Sequence, residues 1–307
     1  MTMTTVIGQP AAAAAHGAAA GAPAPDIARL VMWCQDRPGI IASVASFLHR
    51  NGANIVQSDQ YSSDPTGGRF FLRVEFHLPE ATARLAGLER AFATEVAAGL
   101  GAQFRLRDTA LPSRVAIFVS RYDHCLLDLL WRERRGELPI HTAQVVSNHE
   151  TLRADVASFG VPYEYIPVSA ATKPAAEQRE LDLLAGRVDL IVLARYMQVL
   201  SPDFLDRCGV PIINIHHSFL PAFAGRAPYE RARERGVKLI GATAHYATVD
   251  LDEGPIIEQD VTRVSHRQSV ADLARRGADI ERTVLVRAVA WHCQDRVLLD
   301  GRTAIVF

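Results

Sequence analysis

Residues 211–221 read Pro-Ile-Ile-Asn-Ile-His-His-Ser-Phe-Leu-Pro. Two β-branched residues lead into Asn214 and His216, and the residues from Ser218 to Pro221 turn the chain sharply. A short apolar run bounded by turn residues is what a strand buried on both faces of a parallel sheet requires. Leu190-Ile-Val-Leu-Ala194 and Arg114-Val-Ala-Ile-Phe-Val119 are two more such runs. Residues 140–147 and 163–167 read as strands as well. Helical spacing occupies 125–134, 151–159, 175–185 and 201–208 between them. Alternating strands and helices predict a doubly wound, mostly parallel α/β sheet, whose ligand sits outside the C-terminal ends of the strands.

Downstream, 243–247 reads as a strand. A polar loop follows at 248–253, and Gly254-Pro255 leads into another strand. Residues 279–295 have an amphipathic helical pattern. Val297-Leu-Leu299 and Thr303-Ala-Ile-Val-Phe307 flank Asp300-Gly301 as a closing hairpin. Upstream, strands are predicted at 27–33, 54–61, 69–78 and 103–107. A helix at 40–50 is stopped by Asn51-Gly52, and an alanine-rich helix runs from Pro79 towards Leu100. The order βαββαβ is a ferredoxin-like arrangement. Residues 108–113 form a polar linker, and 1–25, rich in Ala, Gly and Pro, read as a disordered tail. The expected organisation is tail 1–25, first domain 26–108 and second domain 109–307.

Composition narrows the function. The 307 residues carry 33 Lys and Arg against 34 Asp and Glu, so no basic field exists for nucleic acid. Lysine occurs only at Lys173 and Lys238. No basic residue precedes Arg29, which removes the positive region of a signal peptide, and no run reaches transmembrane length. Cys34, Cys125, Cys208 and Cys293 are widely spaced, which fits free thiols in a cytoplasm better than disulfides or structural zinc.

On a strand, alternate residues share a face, so Asn214 and His216 point the same way. An amide donor beside an imidazole suits a carbonyl oxygen that becomes an oxyanion. A carboxylate on the 248–253 loop, Asp252 or Asp250, can face that pair and orient the imidazole or take a proton from water. A metal site on His216, His217, His245 and Asp252 is disfavoured, because adjacent strand residues point apart. Ser218 lacks the G-x-S-x-G elbow of a serine hydrolase.

Two resemblances follow from these residues. Asp36-Arg-Pro-Gly-Ile40 with Asn51-Gly-Ala-Asn-Ile55 resembles an ACT domain. That resemblance implies an amino-acid effector, glycine or methionine, near Asp36, Gly39, Ile40 and Asn54, and a paired, homo-oligomeric assembly. Asn214, His216, Ser218, Leu220, Pro221, His245, Asp252, Gly254 and Pro255 resemble the formyltetrahydrofolate-dependent formyltransferase family. The resemblance implies catalysis by Asn214, His216 and Asp252. It places the folate on the loop Ala194-Arg-Tyr-Met-Gln-Val-Leu200, with Arg195, Tyr196, Met197, Val199 and Leu200 as contacts, together with His217, Ser218 and Gly254. No metal and no cofactor are implied, since the formyl folate is itself the substrate.

Acceptors in this family are amines or water. Ser120-Arg-Tyr-Asp-His-Cys-Leu-Leu126 contains no glycine, so it cannot easily wrap a phosphate with backbone N–H groups. The pair His216-His217 and the leading ACT unit resemble the deformylase branch, in which the acceptor is water. Such chemistry feeds one-carbon and purine metabolism. Arg121 and Arg226 depart from the usual pattern of the family. An amine-directed formyltransferase and a catalytically silent folate sensor are the competing expectations.

Overall fold

A computed structural model describes residues 26–221 and 228–307. The expected tail and Arg226 lie outside the described residues.

The first unit is a four-stranded antiparallel sheet of β1 (Ile27–Gln35), β2 (Asn54–Ser62), β3 (Arg69–His77) and β4 (Gln103–Asp108), in the order β2-β3-β1-β4. One face is covered by α1 (Ile40–Arg50) and α2 (Ala81–Phe92), which continues through a π turn (Ala93–Ala97) into α3 (Ala98–Leu100). The core between them holds Leu30, Met32, Phe47, Leu72, Phe76 and Phe92, all essentially inaccessible. Helix α1 reads as predicted because Ile40, Val44, Phe47 and Leu48 form one apolar stripe.

The second unit carries a seven-stranded sheet in the order β11-β10-β9-β8-β5-β6-β7. The parallel strands are β5 (Ser113–Val119), β6 (Ile140–Ser147), β7 (Tyr163–Tyr165), β8 (Leu190–Leu193) and β9 (Ile212–His216). β10 (Leu239–Tyr246) and β11 (Ile256–Arg263) add an antiparallel edge. The mostly parallel α/β class is therefore as expected. Helices α4 (His124–Arg134), α5 (Arg153–Ala157), α6 (Lys173–Leu184), α7 (Pro202–Arg207), α8 (Pro228–Glu234) and α9 (Val270–Cys293) connect or cover it. The chain leaves β5 towards β6 and β7, then returns to β8 and β9 on the other side. That reversal between β5 and β8 is the switch point where a crevice opens.

Four of the boundaries that differ from the sequence reading have a local physical cause. The helix expected at 151–159 is only α5, since Gly160, with a φ of +77°, ends it. The strand expected at 163–167 stops at Tyr165, because Pro167 has no N–H for the ladder. β10 starts at Leu239 rather than 243. Gly241, which hid it, is needed there because a Cβ would lie 2.5 Å from the Asp260 carbonyl oxygen. Helix α9 starts at Val270 rather than 279, launched by a capping box between Ser269 and Asp272.

The predicted hairpin exists as β12 (Val297–Asp300) and β13 (Thr303–Val306). It covers the open face of the first sheet, where Val31, Phe71 and Leu298 are buried together. Beside them Arg29 bonds Glu75 (2.9 Å) and Asp295 (3.0 Å), and Arg73 bonds the Gln294 carbonyl (3.0 Å). The end of α9 thus clamps the two units together. Among the described residues no helix is long and apolar enough to cross a membrane.

Candidate active site

At the C-terminal ends of β5, β8 and β9 lies a cavity of about 870 Å³, the size of a cofactor or small-ligand pocket. Its lining includes Asn214, His216, His217, Asp252, Arg195, Tyr196, Met197, Val199 and Leu200. The structure therefore brings nine of the eleven expected catalytic and folate residues to one cavity, all but Ser218 and Gly254.

β9 supplies the first pair by alternation. Ile213 and Ile215 enter the core under α4 and α9, while Asn214 and His216 take the other face. His245 lies directly opposite Asn214 across the β9–β10 ladder. Its Nδ1 donates to the Tyr246 carbonyl (3.0 Å), which fixes the tautomer and leaves Nε2 to accept from the Asn214 amide (3.2 Å). The second amide N–H of Asn214 is the one available to a ligand.

β10 leaves the sheet beside Ile213, but its loop curls back over the sheet face. Asp252, at a φ of +60°, thereby presents Oδ1 to His216 Nδ1 at 3.2 Å and to His245 Nε2 at 3.8 Å. The hydrogen bond from His216 holds the Asp252 carboxyl below its ordinary range, against the opposing effect of burial. Asp252 is thus a carboxylate aligned on an imidazole. His216 Nε2 is buried and has no hydrogen-bond partner among the described residues. A ligand oxygen would satisfy it. Asp250, the competing carboxylate, lines a different cavity, between the two units.

The loop after β8 divides into two kinds of residue. Met197 and Val199 are more than half exposed and face the cavity, with Leu200 beside them. Tyr196 turns inward instead. Its ring packs edge-on against Phe118 and its hydroxyl donates to the buried Glu180 carboxylate at 3.0 Å. Burial pushes the Glu180 carboxyl up to about 7. The loop is anchored by Ser120, whose Oγ accepts from Met197 N (2.9 Å).

Two expected contacts stand behind the wall rather than at its surface. The Ser218 carbonyl accepts from Thr243 Oγ1 (2.9 Å), and a Cβ on Gly254 would sit 1.8 Å from the Tyr246 carbonyl oxygen. Both shape turns. In the first unit, Gly39 opens α1 at a φ of +93°, Asp36 accepts from Ser62 and Asn54 is exposed at the start of β2. Ile40 is buried in the core of this unit.

The sequence reading missed Glu281. It lies on the buried stripe of α9, beside Gly277, Val284 and Leu285. Its Oε2 meets His124 Nε2 at 2.8 Å, and its Oε1 accepts from Tyr229 Oη at 2.9 Å and lies 3.5 Å from Arg195 Nη1. Burial raises this carboxyl, but the bond from His124, the charge of Arg195 and the bond from Tyr229 outweigh it, and the net direction is downward. A carboxylate on an otherwise apolar helical stripe was the available signal. His217 sits between this cluster and His216, with ring centroids 5.3 Å from His216 and 6.4 Å from Tyr229. Burial, then the charge of Arg195, pushes its imidazole down to about 4, so it is neutral at pH 7.

His124, Cys125 and Glu281 offer donor atoms within 4.8 Å of one another. They suit a metal poorly. Burial pushes the Cys125 thiol well up, away from the thiolate a metal needs, and Glu281 already carries Arg195.

Comparison with known proteins agrees with this architecture. Residues 113–289 match the formyl transferase family and residues 28–86 the ACT domain. The formyltetrahydrofolate deformylase of Mycobacterium bovis is 61% identical over 282 residues, covering 92% of this chain and 91% of that protein. The Bacillus subtilis deformylase is 50% identical, covering 92% and 94%. A formyltetrahydrofolate deformylase structure from Pseudomonas syringae superposes with a TM-score of 0.87 at 43% identity, covering 92% of this chain and 94% of its own. Glycinamide ribonucleotide transformylase 1 from Symbiobacterium toebii reaches a TM-score of 0.60 at 30% identity, covering 64% of this chain and 94% of its own. The chain belongs to the formyltetrahydrofolate deformylase family.

Proposed function

We propose that this chain is a hydrolase that converts 10-formyltetrahydrofolate and water to formate and tetrahydrofolate. The observation that carries the reading is the meeting of Asn214, His216 and Asp252 in one cavity, in a chain whose relatives are deformylases over almost their whole length.

The chemistry follows from the geometry. The apolar end of the cavity, around Met197, Val199 and Leu200, takes the flat folate ring system, and backbone groups of the loop read its polar edge. The formyl oxygen sits between the Asn214 amide N–H and His216 Nε2. Asp252 Oδ1 is committed to His216, so Oδ2 faces the water. The water oxygen attacks the formyl carbon, and its proton passes to Asp252. The tetrahedral oxyanion accepts from the Asn214 amide N–H, with the His216 ring beside it held in place by Asp252. N10 accepts the proton, the carbon–N10 bond breaks, and formate leaves. Neither a metal nor a cofactor takes part in this scheme.

The other assignments extend the same reading. Residues 26–108 form the regulatory unit and 109–307 the catalytic one. Glycine or methionine is the proposed effector, bound near Asp36, Gly39, the backbone of Ile40 and Asn54. A homo-oligomer is proposed, supported by the exposed Ile55, Val56 and Tyr61 on β2, a sheet edge with only one neighbour. The proposed setting is the cytoplasm, in one-carbon supply to purine synthesis.

The test is formate release from 10-formyltetrahydrofolate by the purified chain, with and without glycine or methionine. Asn214→Ala and Asp252→Asn are each expected to lower turnover roughly a hundred- to a thousand-fold. Near-normal turnover in both variants, correctly folded, would refute the assignment. An absence of formate release under every condition would favour the silent sensor.

A further inference from the structure

The loop between β8 and α7 presents Met197 and Val199 to the cavity, yet no helix or strand runs through it to hold them there. Behind it lies α6. Ala176, Leu181 and Leu184 of that helix enter the core with Phe118 and Phe204. Glu177 and Glu180, about one turn apart, share the same buried side, at 9% and 1% exposure. A carboxyl on an apolar helix face is unfavourable unless a specific partner engages it. Among the described residues Glu180 has no cation within ion-pair distance, and Glu177 has only the Lys173 ammonium at 3.8 Å. Core packing therefore does not account for the pair, since apolar side chains would be buried there at less cost.

Both carboxyl groups are spent on the loop. Glu180 Oε1 accepts from the Tyr196 hydroxyl at 3.0 Å, and Glu177 Oε1 accepts from the Ser201 N–H at 2.9 Å. Tyr196 directly follows Arg195, whose φ of +63° turns the chain as it leaves β8. Ser201 is the N-cap of α7, its Oγ accepting from Phe204 N. The two bonds therefore fix the loop at its entry and at its exit. Tyr196 points inward and its neighbour Met197 outward, so the depth to which the phenol is drawn sets how far Met197 projects into the cavity. The ring contact of Tyr196 on Phe118 guides the phenol, but only the hydroxyl bond fixes its depth.

We propose that Glu180, backed by Glu177, is a positioning residue for the folate ring system: it holds Tyr196 inward and thereby sets the surface that Met197 and Val199 offer to the ring. This role rests on the deformylase reading and deepens it. Glu180 does not line the cavity, and it acts on the folate only through Tyr196. Its loss loosens the grip on the ring while Asn214, His216 and Asp252, on other elements, stay in place. What the loop needs from residue 180 is a hydrogen-bond acceptor at the right depth. A glutamine oxygen supplies one as a carboxyl does, and an aliphatic side chain does not.

The experiment uses the full-length chain. It measures kcat and KM for formate release from 10-formyltetrahydrofolate and, separately, the Kd of the product tetrahydrofolate by equilibrium binding. Glu180→Leu is expected to raise KM and Kd roughly ten-fold, the effect of leaving one buried hydroxyl without its acceptor, with kcat within about three-fold of wild type. Glu180→Gln is expected to bring both constants back to within about two-fold of wild type. A merely structural role would lower the folded fraction, and with it the apparent kcat, and would leave KM and Kd unmoved. That result in Glu180→Leu overturns the proposal, as does a Glu180→Gln whose KM and Kd rise as far as those of Glu180→Leu. If Glu180→Leu does not fold, Tyr196→Phe decides, because it deletes the donor of the same bond and keeps the ring on Phe118: KM and Kd raised to the same degree support the proposal, and unchanged constants overturn it. A wild type that releases no formate refutes the deformylase reading, and the tetrahydrofolate Kd still judges Glu180 on its own, which separates the two failures.

Discussion

At the scale of single residues, the site is set by backbone constraints as much as by functional groups. Asn214 and His216 were legible because a period of two along a buried strand needs no tertiary knowledge. Asp252 was legible as a carboxylate on a loop. Its alignment was not, since the curl that carries Oδ1 to 3.2 Å from His216 depends on a left-handed residue and on Gly254 behind it. Gly254 was read as a substrate contact, yet it is where the loop passes closest to its own strand. A Cβ there would meet backbone, the Tyr246 carbonyl, which cannot swing aside. Gly254→Ala is therefore expected to displace the Asp252 loop. Formate release should fall at least tenfold, with Asp252 itself intact, at the level seen when a reacting group is misplaced by about 1 Å. Kinetics of the variant beside a thermal melt check this. A Gly254→Ala enzyme with unchanged turnover would mean that the loop does not depend on that close approach.

At the scale of elements, the parallel strands declared themselves by apolar runs, whereas α9 was half hidden. Gly277 and the charged residues 275 and 276 made its first half look like a loop, although Ser269 and Asp272 signalled a capped start. The hidden half proves informative, because Gly277 lets Tyr229 reach Glu281 across the helix surface. That contact links residues 52 positions apart, and no local pattern encodes it. An opposed pair of effects follows for Gly277→Ala. Alanine favours the helix by up to about 1 kcal/mol. Its methyl group, however, takes the space of the Tyr229 hydroxyl, 1.8 Å from the Cβ position, and must push the ring off Glu281. The steric effect is expected to win: the variant should be no more stable than wild type despite the propensity gain. Gly277→Ala combined with Tyr229→Phe should recover part of the loss, because the phenol oxygen is the nearest of the clashing atoms, ahead of Cζ at 2.4 Å. Denaturant unfolding of the two variants measures this, and a stabilised single variant would show that Tyr229 moves freely.

At the scale of the whole molecule, the end of α9 is both the far end of the helix that carries Glu281 and the clamp on the first sheet. The sequence predicted the closing hairpin but not what it closes. The packing of Leu298 on Val31 and Phe71 joins parts of the chain more than 200 residues apart, as does the pair Arg29–Asp295. Asp295→Ala leaves the Arg29 guanidinium without one of its two carboxylates, and is expected to cost roughly 3 kcal/mol in urea unfolding, the level of a broken buried pair. His292, three residues earlier, makes the same junction sensitive to acid. Burial, reinforced by the charge of Arg105, pushes its imidazole down to about 4, and Nδ1 meets the Tyr246 hydroxyl at 2.7 Å. The folded chain therefore keeps His292 neutral, while the unfolded chain protonates it below its ordinary value of 6.5. Between about 6.5 and about 4 the unfolded state binds more protons, so stability is complete above that window and is lost as the pH falls through it. A displacement of this size corresponds to on the order of 3 kcal/mol. His217, also held near 4, acts in the same direction. Glu180, raised to about 7, acts in the opposite one, giving up stability as the pH rises from 4.5 to 7. His245 and His149 are lowered as well, so four imidazoles against one carboxyl leave a net loss on acidification between about 6.5 and 4.5. His292→Gln removes one imidazole, so its urea midpoint is expected to fall less steeply with acidification than that of wild type. Equal slopes in the two proteins would remove His292 from the acid response and leave it to His149, His217 and His245.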